Sequence, residues 1–108
     1  ASAMGSIGAV LSRDSLSGAA YIRETPRGLA AEREGLIPGD RIKMVDGVLV
    51  DELSDARLKE LLRGPLGSKI VLTVIRGDRV FDVELTRQAL LRAGSVRQNR
   101  ETIDARGE

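Results

Sequence analysis

The stretch Glu34-Gly35-Leu36-Ile37-Pro38-Gly39-Asp40-Arg41-Ile42, continued by Val45-Asp46-Gly47, decides the fold of this chain. Gly35 can adopt the left-handed geometry of a helix end without a Cβ penalty, so it predicts the end of a short helix. Pro38-Gly39 predicts a tight turn, because proline fixes φ and glycine accepts positive φ. Asp46-Gly47 is a two-residue hairpin signal. The order of these signals predicts a helix, a turn and a strand that opens a hairpin.

Apolar periodicity predicts the elements on both sides of this stretch. We expect strands at residues 7–11, 19–23, 41–45, 48–50, 68–76 and 80–86, and a short helix at 29–34. Ser54 predicts the N-cap of a second helix, and Gly64-Pro65 predicts the end of that helix. The core is expected to include Leu36, Ile42, Met44 and Val45. The polar residues from 92 to 108 predict a frayed or disordered tail.

The composition of the 108 residues is typical of one domain and argues against several functional classes. The 17 basic and 16 acidic residues nearly balance, and only 2% of residues are aromatic, so we expect no nucleic-acid partner. No apolar run approaches the ~20 residues of a membrane span, so we expect no direct membrane insertion. Arg87, Arg92, Arg97 and Arg100 are expected to belong to a solvated tail rather than a binding arm.

Catalytic, metal and cofactor sites are not expected in this chain. It contains no histidine and no cysteine, which removes the commonest general base, the commonest metal ligand and all thiol chemistry. A Ser–Lys dyad needs a buried lysine, whereas Lys43 and Lys69 fall at outward or terminal strand positions. Asp51-Glu52 is the only adjacent acidic pair, and it is typical of a solvated loop.

Four blocks of this sequence resemble bacterial PDZ domains, over residues 7–87. The blocks are Ser6-Ile7-Gly8-Ala9, residues 35–47, residues 53–68 and residues 71–77. The last two blocks are similar to the PDZ modules of carboxyl-terminal processing proteases. The resemblance implies an α+β, mainly β fold: a PDZ-like, partly open antiparallel β-barrel or sandwich capped by two helices. It also implies a circularly permuted strand order, in which residues 81–87 replace the first strand of animal PDZ domains.

The resemblance places a peptide groove between the first strand and the second helix. The N–H groups of Ile7, Gly8 and Ala9 would hold a ligand carboxylate, since consecutive donors around a glycine form an anion site. The strand would pair with the ligand and the helix would line its side chains, through Val10, Leu11, Ser12, Asp55, Leu58, Lys59 and Leu62. The alternative for the apolar members is that they are ordinary core residues.

Asp55 and Lys59 have two interpretations each. The resemblance places Asp55 opposite the ligand residue two before the C-terminus, where a carboxylate would favour a hydrogen-bond donor or a cation. The alternative is that Asp55 only supports the helix N-terminus through the helix dipole. Lys59 lies one turn further along, either at the groove rim or as a solvated surface lysine.

The resulting hypothesis is a non-catalytic module that binds the C-termini or extended segments of partner proteins. It would be the substrate-binding or regulatory domain of a larger protease, or alternatively a scaffold domain of a secretion or signalling protein. A third alternative is self-association, with a homodimer or the chain's own peptide in the groove. Residues 1–6 resemble an expression scar, 7–87 would form the PDZ domain, and 88–108 a linker or tail. The resemblance implies the bacterial periplasm or cell envelope, with a cytoplasmic location still open.

Overall fold

A computed structural model describes residues 3–89 in full and residues 102–104 as backbone. The chain forms β1 (Met4–Gly5), β2 (Val10–Arg13), β3 (Ala20–Glu24), α1 (Ala30–Arg33), β4 (Arg41–Val45), β5 (Val48–Leu49), α2 (Asp55–Leu62), β6 (Gly64–Pro65), β7 (Lys69–Arg76), β8 (Arg79–Thr86) and β9 (Thr102–Asp104). The fold is therefore mainly β with two helices, as the sequence predicts.

The main sheet contains seven antiparallel strands in the order β8-β7-β4-β3-β2-β9, with β5 paired to β4. A second, two-stranded sheet joins β1 to β6. The sheets do not close into a barrel, so the more open of the predicted arrangements is the one that forms. No helix among the described residues is long and apolar enough to cross a lipid bilayer.

The glycines of the stretch from Gly35 to Gly47 take the conformations that the sequence predicts. Gly35 has φ 87°, and its N–H donates to the carbonyl of Glu32 while the N–H of Leu36 donates to that of Ala31. This pair of bonds is the Schellman arrangement that ends a helix. Asp46 and Gly47 both have positive φ, at 48° and 82°, as a type I′ hairpin requires.

The strand β4 departs from simple alternation. Its pairing with β7 shifts register between Ile42 and Met44. The buried residues of β4 are consequently Ile42 and Val45, while Met44 is half-buried. The expectation that Met44 shares the core face with Ile42 is therefore wrong, because a bulge inserts one residue and changes the face on which the next side chains lie.

The end of α2 also differs from the expectation. The helix stops at Leu62, and Arg63 and Gly64 continue in extended geometry into β6 instead of a left-handed cap. Gly64 is required for space, since a Cβ there would lie 2.7 Å from Cζ of Arg87. The sequence correctly predicts where α2 ends but gives the wrong reason for the glycine.

Arg87 is part of the folded core and not of a solvated tail, which corrects the expectation for this arginine. Its side chain is buried, and its guanidinium donates to the carbonyls of Leu61 and Leu62 at the end of α2. The same group donates to Oγ of Ser68 and to the carbonyl of Lys69. Burial lowers the pKa of Arg87, and the negative charge of Asp46 partly offsets this effect.

Residues on both sides of the predicted 7–87 range also take part in the fold. Met4–Gly5 pair with Gly64–Pro65, and Ser6 exchanges backbone hydrogen bonds with Gln88 at 3.0 and 3.1 Å. In the predicted tail, Thr102–Asp104 form a strand, which corrects the expectation of a frayed or disordered segment there. The other tail arginines, Arg92, Arg97 and Arg100, lie outside the described residues.

Candidate functional site

The loop of residues 7–9 is held against α1. The carbonyl of Ile7 accepts a hydrogen bond from the N–H of Ala31 at 3.0 Å. Gly8 has φ 75°, and a Cβ at this position would lie 2.5 Å from Cβ of Leu29 and 3.1 Å from the nitrogen of Ala30. Both the backbone conformation and the available space therefore require glycine at the centre of the loop.

The same loop presents backbone donors in sequence. No turn or loop hydrogen bond among the described residues uses the N–H groups of Ile7, Gly8 or Ala9. Consecutive N–H groups around a left-handed residue form a concave site that can bind an anion such as a carboxylate. The geometry is consistent with the predicted carboxylate loop.

The apolar residues predicted for the groove are all part of the hydrophobic core. Ile7, Ala9, Leu11, Leu58 and Leu62 all belong to one buried cluster, and none is more than 1% exposed. Val10 is also buried, whereas Ser12 and Lys59 are half-buried. These exposures apply to the molecule with β9 paired to β2. The same side chains are therefore core residues in this structure and the residues predicted to line a groove.

The edge of β2 is covered by the chain's own C-terminal segment. β9 pairs antiparallel with β2, placing Asp104 opposite Val10, Ile103 opposite Leu11 and Thr102 opposite Ser12. On its other side β2 pairs with β3, with Leu11 opposite Ile22. The strand predicted to receive a ligand by strand addition thus carries an added strand in this structure.

Arg13 links the two walls of the groove at the end furthest from the loop. Its Nη1 donates to Oδ1 of Asp55 at 3.0 Å and to the carbonyl of Leu53 at 2.8 Å. Its other donors reach the carbonyls of Gly18 and Val50. The Arg13 side chain is only 12% exposed, whereas that of Asp55 is 68% exposed. Arg13 therefore anchors the start of α2 to the end of β2.

Sequence reasoning missed Arg13. Its only local signal is its position at the end of a strand, immediately before the turn that begins at Asp14. The partners that make it important lie 37 to 42 residues away in the sequence. For Asp55, the ion pair supports the interpretation that this residue stabilises the helix start, while its side chain as a whole remains 68% exposed.

An open cleft of about 700 Å³ lies beside this ion pair, between the turn after β2 and the start of α2. Its lining residues are Arg13, Asp14, Ser15, Gly18, Asp51, Leu53, Ser54 and Asp55. The hydroxyl and the backbone N–H of Ser17 hold the pKa of the Asp14 carboxyl below its usual value. Asp51 pairs with Arg41 at 2.6 Å. The cleft is therefore lined by three carboxylates and by one arginine, whose side chain is 12% exposed.

Neither of the lysines considered for a dyad is buried. Nζ of Lys69 lies 3.7 Å from Oε1 of Glu84, and its side chain is 61% exposed. Lys43 is half-buried in β4. Within residues 3–89, no three acidic side chains are grouped in a way that could hold a metal ion.

Comparison with known proteins gives matches to one family model and to solved structures that include PDZ domains. A sequence model described as "PDZ domain" matches residues 25–76. The PDZ domain of a carboxy-terminal protease from Vibrio cholerae, solved in complex with a peptide, is 31% identical with a TM-score of 0.67. The match covers 79% of this chain and 94% of that one.

Two further solved structures extend the comparison. The photosystem II D1 C-terminal processing protease is 28% identical with a TM-score of 0.72 over 79% of this chain, and the chain spans 23% of that protein's length. The HtrA3 PDZ domain, bound to the phage-derived ligand FGRWV, is 25% identical with a TM-score of 0.62. That match covers 82% of this chain and 89% of the other.

Proposed function

The chain belongs to the PDZ domain family, and from this premise we propose that it binds the C-termini or extended segments of partner proteins by strand addition. The observation that carries the proposal is the edge of β2, which accepts an antiparallel strand in register with Val10, Leu11 and Ser12. The related PDZ domains solved with a peptide and with a phage-derived ligand support the same use of the fold.

The binding mode combines backbone pairing with capture of an anion. A ligand antiparallel to β2 runs from the Arg13 end toward Val10, so its C-terminus arrives at the loop of residues 7–9. The N–H groups of that loop bind the terminal carboxylate, and the apolar cluster behind it receives a side chain. Burying one such side chain contributes roughly 1.5–3 kcal/mol. Affinities are modest, because ordering the peptide offsets much of this gain.

The test compares free-carboxylate peptides with the same peptides amidated at the C-terminus. A randomised peptide library is titrated against the full chain in both forms, by fluorescence anisotropy. We expect the amidated set to bind at least tenfold more weakly, since charged hydrogen bonds contribute about 1.5–3 kcal/mol. Equal binding of the two sets would remove the carboxylate-loop mechanism. Val80→Ala, an exposed apolar truncation on β8 at the far edge of the sheet, is the control.

We also propose that Asp55 selects the ligand residue two before the C-terminus. Its carboxylate is 68% exposed at the first position of α2, with one oxygen held by Arg13. The other oxygen favours Ser, Thr, Lys or Arg in the ligand. A peptide array varied at that ligand position should lose this preference in Asp55→Ala and keep it in Glu60→Ala. Glu60 is the matched control because it lies on the same helix with 69% exposure. A profile unchanged by Asp55→Ala would contradict the assignment.

The parent protein is proposed to be a processing protease in which this domain binds or regulates substrate, located in the bacterial periplasm or cell envelope. The similarity to two processing proteases favours this over a scaffold role in a secretion or signalling protein. The discriminating observation is the native coding sequence around this segment. A serine and lysine protease domain and an export signal are expected there, and a sequence with neither would favour the scaffold.

A further inference from the structure

We infer that Thr102–Asp104 is a built-in competitor for the peptide groove, so that the domain binds an external ligand only when this segment leaves β2. The inference rests on the proposed peptide-binding function and deepens it. It starts from the pairing of β9 with β2, the strand on which ligand binding depends. The structure identifies the segment that occupies the edge of β2. It belongs to the same chain, and its backbone pairs with three consecutive residues of β2.

Exclusion follows from the topology of the sheet. A strand has two edges that can form hydrogen-bond ladders. One edge of β2 pairs with β3 and the other pairs with β9. An external peptide can therefore add to β2 only by displacing β9, since loss of β3 would break the centre of the seven-stranded sheet.

The direction of β9 is the direction proposed for a ligand. Thr102 lies opposite Ser12 and Asp104 opposite Val10, so the segment runs toward the loop of residues 7–9. The sequence continues for residues 105–108 after Asp104, which means that the paired stretch is internal to the chain. Because the paired residues are not a C-terminus, pairing of this segment with β2 does not depend on a free carboxylate.

Covalent attachment makes even a weak segment an effective competitor. Tethered segments act at effective concentrations on the order of 1 mM when the linker is short. At that concentration, a segment with an intrinsic dissociation constant of ~0.1 mM would weaken an external ligand by about tenfold. A tethered segment of this modest intrinsic affinity would be enough to set a threshold for ligand binding.

The first experiment needs no ligand. Amide hydrogen exchange is measured by NMR on the full chain and on the double variant Ile103→Pro, Asp104→Pro. Neighbouring residues of a strand direct their N–H groups to opposite sides, so the double change removes a donor facing β2 whichever residue supplies it. The control is Arg97→Pro, Gln98→Pro, which places two prolines in the tail outside β9.

We expect the β2 amides that face β9 to exchange at least tenfold faster in the double variant, while those paired with β3 keep their protection. The control should match the wild type. Equal exchange in the wild type and the double variant would overturn the inference. Protection that falls as the protein is diluted would also overturn it, because the pairing would then be made by a second copy.

The second experiment uses a synthetic peptide with the sequence of residues 98–108, free or amidated at its C-terminus. We expect it to bind the double variant at least threefold more tightly than the wild type, and to do so equally in both forms. Equal affinity for wild type and variant would contradict competition. The exchange experiment can fail while the free-carboxylate library still binds, so failure of this inference is distinguishable from failure of the proposed function.

Discussion

Replacing Gly8 by alanine tests whether the loop of residues 7–9 depends on one backbone conformation. Gly8 has φ 75°, where an L-residue with a Cβ is strained. The new Cβ would also lie 2.5 Å from Cβ of Leu29 and 3.1 Å from the nitrogen of Ala30. Neither atom is the far end of a flexible side chain, so the loop or α1 must shift.

The structure separates the two costs. The left-handed conformation costs about 1–2 kcal/mol for a residue with a Cβ. Forcing an extra methyl group into a packed site costs a further ~1–3 kcal/mol. Gly8→Ala should therefore lower the free energy of unfolding by about 2–5 kcal/mol. Gly67→Ala, at φ 85° with no atom within 4 Å of the new Cβ, carries only the first cost.

Urea denaturation of both variants in one buffer measures the difference between them. Peptide titration of the folded variants then tests function, with a free-carboxylate and an amidated form of one library peptide. We expect Gly8→Ala to lose the preference for the free carboxylate and Gly67→Ala to retain it. If Gly8→Ala is no less stable than Gly67→Ala and keeps the preference, the argument that this loop needs glycine is refuted.

Three further predictions concern charged side chains and their hydrogen-bond partners. The pKa of Asp40 would be raised by its burial, but hydrogen bonds from Arg76 and a backbone N–H, with the charge of Arg76, hold it below its usual 3.8. Asp40→Asn should therefore lower the free energy of unfolding by about 2 kcal/mol at neutral pH. Denaturation at several pH values should show the full difference above pH 3.8 and its loss as the pH falls through the lower pKa that Asp40 has in the folded state. Arg87→Met should cost about 3 kcal/mol by thermal or urea unfolding, because two buried helix carbonyls lose their donors, and a cost below ~1 kcal/mol would contradict this. Arg13→Met should lower the free energy of unfolding by about 2–4 kcal/mol and Asp55→Asn by less than ~1 kcal/mol, because Arg13 also donates to three carbonyls. Equal costs of the two substitutions in urea unfolding would show that the ion pair is the main contribution of Arg13.

Local signals in the sequence predicted the elements well wherever the cause is local. The helix end at Gly35 and the hairpin at Asp46-Gly47 depend on backbone conformations that few residues adopt, so the residue type reveals the geometry. The N-cap at Ser54 is confirmed by the bond from the N–H of Arg57 to its hydroxyl at 3.1 Å. In β7, Ile70, Leu72 and Val74 are buried as their alternation predicts.

The expectations that failed depend on pairing between distant parts of the chain. The bulge that turns Met44 out of the core belongs to the pairing of β4 with β7, and nothing in the residues of β4 alone specifies it. The excess of arginines near the C-terminus predicts a tail that includes Arg87, whereas the acceptors of its guanidinium lie 18 to 26 residues earlier. Charge patterning describes the average of a segment and does not show which arginine is enclosed by carbonyl groups.

The clustering of three apolar residues predicted for the groove follows from the sequence, whereas the strand that pairs with β2 does not. Ile7, Leu11 and Leu62 were expected to lie together, and the structure places them in one buried cluster. The residues of β9 have no apolar period that would predict a strand, because three residues are too few to establish one. Their strand geometry comes from the ladder that β2 offers, so only the three-dimensional arrangement reveals it.

The opposite edge of the main sheet gives a reason for β2 to carry a covering segment. An open edge is a hazard for unwanted pairing, which proteins reduce with charged side chains. β8 forms one edge and exposes Arg79, Asp82 and Glu84 along it. β2 cannot be protected in the same permanent way, because its edge must remain able to pair with a ligand. A displaceable strand from the same chain protects that edge and leaves it available, and its removal by proline substitution should therefore increase both ligand binding and self-association.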